Sequence, residues 1–210
     1  MTRRLRHARD DLNPYVALTD TTLNLVLVMV FFVAALTAVG RVSWDDIRYK
    51  DAQKEFQQAV EKLIAVEQRP IINVGKNDPP GTQRWVFANS ALFTPGKATL
   101  SAAGEATLNR FALALRQNAT TWRRIRVEGH TRPTLAQKAD RWEDATNRAA
   151  AVARFLVNTG GIPPYFIATA GRGGQDPLKG LPLNDPAHAR IEIVLEYAKS
   201  AADLKTKDAP

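Results

Sequence analysis

The sequence contains no cysteine and only three histidines among its 210 residues. No disulfide can therefore form within the chain, which suits an exported protein that needs none but does not by itself locate the chain. His7, His130 and His188 lie far apart, and none stands in a metal-ligand spacing such as His-x-x-x-His. The sequence therefore gives no sign of a resident metal.

A phosphate-binding loop and a catalytic constellation are also missing. The stretch Gly171-Arg-Gly-Gly174 follows a predicted strand, but a proline-rich loop comes after it instead of a helix N-terminus. No grouping of nucleophile, base and acid is recognisable elsewhere. We therefore expect a protein that is not an enzyme and that needs no cofactor.

The net charge of +8 raises the question of nucleic-acid binding. Four arginines lie close to the N-terminus, and the other basic residues are scattered among acids. We therefore expect no nucleic-acid partner. Those four arginines are Arg3, Arg4, Arg6 and Arg9.

One long apolar run stands near the start of the chain. No charge occurs from Leu25 to Val39, and the 19 residues from Thr21 to Val39 would cover roughly 28 Å as a helix, close to the hydrocarbon core of a bilayer. The sequence therefore predicts a single transmembrane helix over residues 16–40.

The flanks of this helix predict its orientation, because basic residues close to a span stay on the cytoplasmic side. The arginine-rich residues 1–15 should be cytoplasmic and the long C-terminal part periplasmic, in the inner membrane. A cleaved signal peptide is the alternative, but the apolar core is long for one, no Ala-x-Ala pair ends it, and an acid stands at its entrance.

Asp20 is the unusual residue of the span. An ionisable side chain at the membrane edge is costly unless it faces protein or water, which makes it a candidate functional residue. Asn24 is four residues further on and therefore lies on the same helix face. The alternative is that Asp20 only caps the helix N-terminus, and the sequence by itself leaves both interpretations open.

Residues 41–68 form a second predicted segment. Apolar residues recur there at helical spacing among charged ones, which predicts an amphipathic helix just outside the membrane. It could be a stalk or short coiled coil, or a segment that dimerises or plugs an ion path. Pro70 and Asn77-Asp-Pro-Pro-Gly81 mark a boundary near residue 68.

Residues 69–198 alternate between strand and helix patterns. The predicted strands are 84–88, 124–128, 166–170 and 189–197, and the predicted helices are 102–117, capped by Ser101, and 135–158, ended by Gly160-Gly161. This order predicts an α/β fold, a βαβαββ sandwich with one sheet covered by two helices. The charged residues 199–210 should be a disordered tail.

Several short motifs occur within residues 84–197 in a specific order. They resemble the successive signatures of the OmpA-like peptidoglycan-binding domain, and that resemblance implies a domain that grips the cell wall. The motifs are Ser90-Ala-Leu-Phe93, Gly96-Lys-Ala-Thr-Leu100, Gly104, Val127-Glu-Gly-His-Thr131, Trp142-Glu143, Arg148-Ala149, Gly171-x-Gly173 with Pro177, and Arg190-Ile-Glu-Ile193.

A basic N-terminus, one span with an acid, an amphipathic helix and this domain together resemble the B subunits of MotB-type stators. The segment Asn13-Pro-Tyr-Val-Ala-Leu-Thr-Asp20 is unlike the Tyr-Ala-Asp-Phe-Met-Thr-Ala-Met-Met entrance of flagellar MotB and resembles the ZorB group of Zorya antiphage defence systems. The resemblance implies a B-subunit homodimer inside a ring of five MotA- or ExbB-like (ZorA-type) partners, with Asp20, assisted by Asn24, carrying a proton or sodium ion.

The wall-binding positions follow the family pattern only in part. The family reads Gly-His-Thr-Asp, then Asn-x-x-Leu-Ser-x-x-Arg-Ala on a helix. Thr131 and Arg148 match, but Arg132 replaces the aspartate, Arg141 the asparagine and Asp144 the leucine. A guanidinium reverses the sign of the contact with an ammonium group, whereas Arg148 keeps the ability to bind a carboxylate or to pair with Asp144.

Three other functions remain open. The chain could be a flagellar stator subunit, or a passive wall tether in which Asp20 is only a cap. A transport energiser of the ExbD and TolR group shares the acid in the span but lacks an OmpA-like domain.

Overall fold

The computed structural model describes residues 14–75, 78–133 and 141–198. Its contacts divide the chain into two compact units between Asp45 and Asp46, and each unit is described separately. The predicted tail 199–210, residues 1–13 of the predicted cytoplasmic N-terminus, and residues 76–77 and 134–140 lie outside the described ranges.

Helix α1 runs from Pro14 to Leu63. Within the described residues, it holds the one segment long and apolar enough to cross a membrane, Leu18–Ala38. None of that segment is buried by the rest of the chain, as expected for a surface that would face lipid or other proteins. In the second unit, the end of α1 contributes to the domain core through Phe56, Val60 and Ile64.

The C-terminal domain contains one five-stranded sheet. Its strands are β1 (Ile71–Asn73), β2 (Thr82–Ala88), β3 (Trp122–His130), β4 (Ile167–Gly173) and β5 (Arg190–Tyr197). Their order across the sheet is β1-β2-β5-β3-β4. Among the strands of the described ranges, β3 and β4 alone pair in parallel, and helix α4 (Trp142–Asn158) lies between them in the chain. The short edge strand β1 was not predicted, because three residues give too little periodicity to be recognised.

Helices α3 and α4 cover one face of the sheet. Helix α3 (Ala102–Gln117) follows the short α2 (Asn89–Leu92), and the Ser101 hydroxyl accepts from the N–H of Gly104 at 3.0 Å, which confirms the predicted cap. The predicted face of α3 is buried, namely Leu108, Phe111, Ala112 and Leu115. The predicted α/β sandwich with an N-terminal apolar helix is therefore confirmed.

Helix α4 is described from Trp142, later than the predicted start at residue 135. Arg141 precedes it with φ of 53°, a left-handed conformation that cannot continue a right-handed helix. Trp142 was predicted on the buried face, yet its side chain is 49% exposed because it lies in the first turn, before the helix passes under the sheet. The predicted boundary near residue 68 falls inside the second compact unit.

Candidate functional site

Asp20 and Asn24 lie on one face of α1, within its membrane-length segment. Nδ2 of Asn24 is 3.5 Å from Oδ1 of Asp20, at the limit of a hydrogen bond. Because α1 begins at Pro14, Asp20 lies in its second turn and is not the N-cap residue. An exposed carboxylate inside an apolar helix needs water, an ion or another chain to face if that helix crosses a membrane.

Thr131 and Arg132 directly follow β3, whose Gly129 lies against the first turn of α4. Gly129 permits this close approach, since a Cβ atom there would lie 2.0 Å from the carbonyl oxygen of Ala145. Thr131 is 3% exposed, and its N–H donates to the carbonyl of Gly173 at 2.9 Å. Arg132 is exposed. A buried hydroxyl and an exposed guanidinium thus follow each other beside the first turns of α4.

Arg141, Asp144 and Arg148 lie along the start of α4. Nε of Arg141 donates to Oδ2 of Asp144 at 3.2 Å, but both side chains are nearly half exposed, so this ion pair contributes at most about 1 kcal/mol. The alternative pair of Asp144 with Arg148 is not formed. Arg148 has no hydrogen bond or ion pair with any residue in the described ranges, which leaves its guanidinium available to a carboxylate.

Asn89, which the sequence analysis did not single out, lies at the same edge of the sheet. Strands β2, β5 and β3 are in register at Ala88, Arg190 and His130. Asn89 directly follows Ala88, and Thr131 directly follows His130. Among the described residues, the Asn89 amide and the Thr131 hydroxyl are buried without a hydrogen-bond partner. Since such groups cost free energy, a bound ligand or water at this edge would stabilise them.

The face of the sheet opposite helix α3 carries a group of buried charges, called the charge cluster below. Arg84 is central: its Nη1 donates to Glu128 at 2.8 Å and to Glu192, and its Nε and Nη2 donate to Asp78 at 3.0 and 2.6 Å. Glu192 also accepts from Nε of Arg190. None of these five side chains is more than 9% exposed. Each charge is thus compensated by an opposite charge in direct contact.

The charge cluster keeps its carboxyl groups ionised. Hydrogen bonds from Arg84 hold the pKa of Asp78 below its ordinary value. Burial by itself would raise the pKa of Glu128, but hydrogen bonds from Arg84 and Arg172 outweigh it and lower the pKa. Burial likewise opposes ionisation of Glu192, and the neighbouring His130 and Arg190 side chains lower its pKa strongly.

His130 lies beside the charge cluster with both ring nitrogens buried and unpartnered within the described part of the chain. Its Nε2 is 3.6 Å from a carboxylate oxygen of Glu192 and 4.0 Å from one of Glu128. One ligand atom from each of these three residues lies within 4.8 Å of the others, close enough to share a metal ion. The same carboxylates already accept from guanidinium groups, however, whose charge repels a cation, so an ion-pair network describes this arrangement better.

The sheet and the helices that cover it form an OmpA-like domain. The model of the OmpA family matches residues 92–189. Among solved structures, the chain is similar to a putative MotB-like protein from Desulfovibrio vulgaris, with 21% identity over 75% of this chain and 94% of that one, at a TM-score of 0.55.

The chain is also similar to the cell wall anchor of the type VI secretion system from Pseudomonas aeruginosa. The identity is 21% over 63% of this chain and 90% of that one, at a TM-score of 0.50. No curated protein matches the chain. At these identities the likeness establishes a shared fold.

Proposed function

We propose that this chain is the B subunit of an ion-driven, stator-like motor of the inner membrane, anchored to the cell wall and serving antiphage defence of the Zorya type. The observation that carries the proposal is the combination, in one chain, of a membrane-length helix with an interior carboxylate and an OmpA-like domain. The N-terminus is cytoplasmic and the OmpA-like domain periplasmic, as the arginine-rich start of the chain favours.

Asp20 is the proposed ion carrier. A proton or a sodium ion on its carboxylate removes a charge from a low-dielectric site, which changes the contacts that are favourable with a surrounding ring of ZorA-type A subunits. Asn24 hydrogen-bonds to the ionised carboxylate and helps to hold it in position. Repeated loading and unloading drives rotation of that ring, with two B chains held still by the wall.

Phage plaquing on cells with the complete operon tests the motor. Asp20→Asn keeps the shape of the side chain and the helix but cannot titrate, so we expect protection to be lost at unchanged membrane abundance. Thr22→Val is the matched control, because it alters a polar residue two positions away whose hydroxyl only donates to the backbone of its own helix. Full protection by Asp20→Asn would remove the motor and favour a passive tether. If the wild type gives no protection, the same variants would be compared in a motility assay instead.

The wall-binding site is proposed at the Thr131 edge, where Arg148 binds a carboxylate of the peptidoglycan peptide. Arg132 and Arg141 add positive charge and Asp144 orients Arg141, while the Asn89 amide and the Thr131 hydroxyl supply further hydrogen bonds. The similarity to a MotB-like protein and to a cell wall anchor supports this assignment.

Co-sedimentation of the full chain in detergent with purified sacculi tests wall binding. We expect Arg148→Ala to lower the bound fraction at least several-fold, because a charge-assisted hydrogen bond contributes about 1.5–3 kcal/mol. Arg154→Ala removes an exposed arginine of the same helix and serves as the control. Equal binding by the two variants would place the wall contact elsewhere on the domain.

A further inference from the structure

A cavity lies on the face of the sheet opposite helix α3. It has a volume of about 570 Å³ and lies between residues 73–75 and residues 176–181. Trp85 packs against Phe111 of α3, so Arg84, the preceding residue of β2, points to the other face. Arg84, Arg190 and Glu192 form the floor of the cavity. The volume is that of a small-molecule site, and no residue of the proposed wall-binding edge lines it.

The floor of this cavity has more hydrogen-bond donors than acceptors. A guanidinium carries five N–H donors. Arg84 makes four hydrogen bonds, to Asp78, Glu128 and Glu192, and Arg190 makes three, to Glu192 and to the carbonyls of His188 and Asp176. The two arginines thus retain N–H groups without an acceptor among the described residues. An occupant with acceptor oxygens would satisfy them.

The mouth of the cavity combines the opposite charges of Lys179 and the exposed Asp176 with apolar side chains. Lys179 is exposed and makes no ion pair with any residue of the described ranges. Leu178 and Leu181 line the same opening, with Leu181 40% exposed, and Val74 on the opposite wall is 84% exposed. An ammonium group beside exposed aliphatic surface suits a ligand that has both a carboxylate and an apolar part.

We propose that this cavity binds the free C-terminal carboxylate of a short peptide, held by Lys179 and the unsatisfied N–H groups of the floor, with its aliphatic side chains against Leu178 and Leu181. The exposed carboxylate of Asp176, 3.9 Å from Nη2 of Arg190, is displaced toward solvent when the ligand enters. The site is separate from the Arg148 edge, so it does not depend on wall binding there.

Isothermal titration calorimetry with the full chain in detergent micelles tests the proposal. The probes are N-acetyl-D-alanyl-D-alanine, the same dipeptide with a C-terminal amide, and inorganic phosphate. We expect the free acid to bind and the amide to bind at least tenfold more weakly. Lys179→Gln should weaken binding of the acid about tenfold, in line with the loss of one charge-assisted hydrogen bond.

Two variants separate this cavity from other surfaces. Lys97→Gln neutralises an exposed lysine elsewhere on the domain and should leave binding unchanged. Leu181→Asp should abolish binding, because it places a carboxylate at the mouth. The proposal is overturned if the wild type binds no probe, if acid and amide bind equally, if phosphate binds as tightly as the peptide, or if only Arg148→Ala weakens binding. The sacculus assay reports on the proposed function independently.

Discussion

The rings of Phe56 and Trp85 meet edge to face, with their centroids 5.4 Å apart and their planes at 77°. Phe56 belongs to the end of α1 and Trp85 to β2, and both also contact Phe111 of α3. The end of the segment predicted as an amphipathic linker or dimerisation helix, residues 41–68, therefore contributes side chains to the domain core.

Replacing Phe56 should destabilise the domain strongly. Phe56→Ala removes a fully buried ring that touches two aromatic partners, and such substitutions cost about 3–5 kcal/mol. Denaturant unfolding followed by tryptophan fluorescence measures the change. Glu55→Ala, an exposed neighbour on α1, should change the free energy of unfolding by less than about 0.5 kcal/mol. Similar values for the two variants would mean that α1 does not pack on the domain in solution.

Removing Arg84 should also be costly, for an electrostatic reason. Arg84→Met leaves Asp78, Glu128 and Glu192 close together and buried without their shared cation, and breaking such a network costs about 3–5 kcal/mol. Arg123→Met removes a surface ion pair with Glu196 at 3.6 Å and should cost less than about 1 kcal/mol. The same unfolding experiment compares the two variants. An equally small loss of stability at both positions would contradict the interpretation that Arg84 compensates the buried carboxylates.

The charge cluster should make the domain sensitive to acid. Asp78, Glu128 and Glu192 have lower pKa values in the folded than in the unfolded state, so the folded state binds fewer protons and their contribution is fully present above the unfolded values. Stability should therefore fall as the pH drops below the ordinary carboxyl range, near 4. Measuring the free energy of unfolding from pH 7 to pH 3 tests this.

Glu192→Gln is the variant that isolates this effect. It should lower the stability at pH 7 and flatten its decline below pH 4, because one strongly perturbed carboxyl group no longer titrates. A variant with an unchanged slope would show that other groups cause the acid sensitivity.

A methyl group at Gly129 should disturb the proposed wall-binding edge. In Gly129→Ala the new Cβ would lie 2.0 Å from a backbone oxygen of α4, and backbone atoms cannot move aside as a side chain can. We expect a loss of both stability and sacculus binding. Gly96→Ala, at a left-handed residue with open space around it, should cost only about 1–2 kcal/mol and leave binding intact. Sacculus binding that survives Gly129→Ala would separate the edge from the wall contact.

Thr131→Val should separate binding from stability. The buried hydroxyl has no partner in the described structure, so replacing it with a methyl group of the same shape should leave the free energy of unfolding unchanged or raise it. Sacculus binding should fall if the hydroxyl contacts the ligand. In the control Thr107→Val, the lost hydroxyl donates to the carbonyl of Ala103 at 2.9 Å, so stability should change without an effect on binding.

Local chemistry made much of this protein readable from its sequence. The long apolar helix, the cap at Ser101 and the buried faces of α3 and α4 depend on apolar periodicity and on residues a few positions apart. The described structure agrees with them except at Trp142, which is half exposed. The OmpA-like fold was recognisable for the same reason, since its motifs have a fixed order and spacing.

Only the tertiary structure decided which residues meet across the sheet. Register places Asn89 and Thr131 at the same edge of the sheet, and it brings Glu128 and Glu192 to Arg84 from 44 and 108 residues away. It also pairs Asp144 with Arg141, where helical spacing allowed Arg148 equally well. The sequence alone determined the longer elements and their order, because these follow from short-range patterns, but it did not reveal the short β1 and α2. The sites depended on long-range strand pairing and on packing against α1 and α4, which no local pattern encodes.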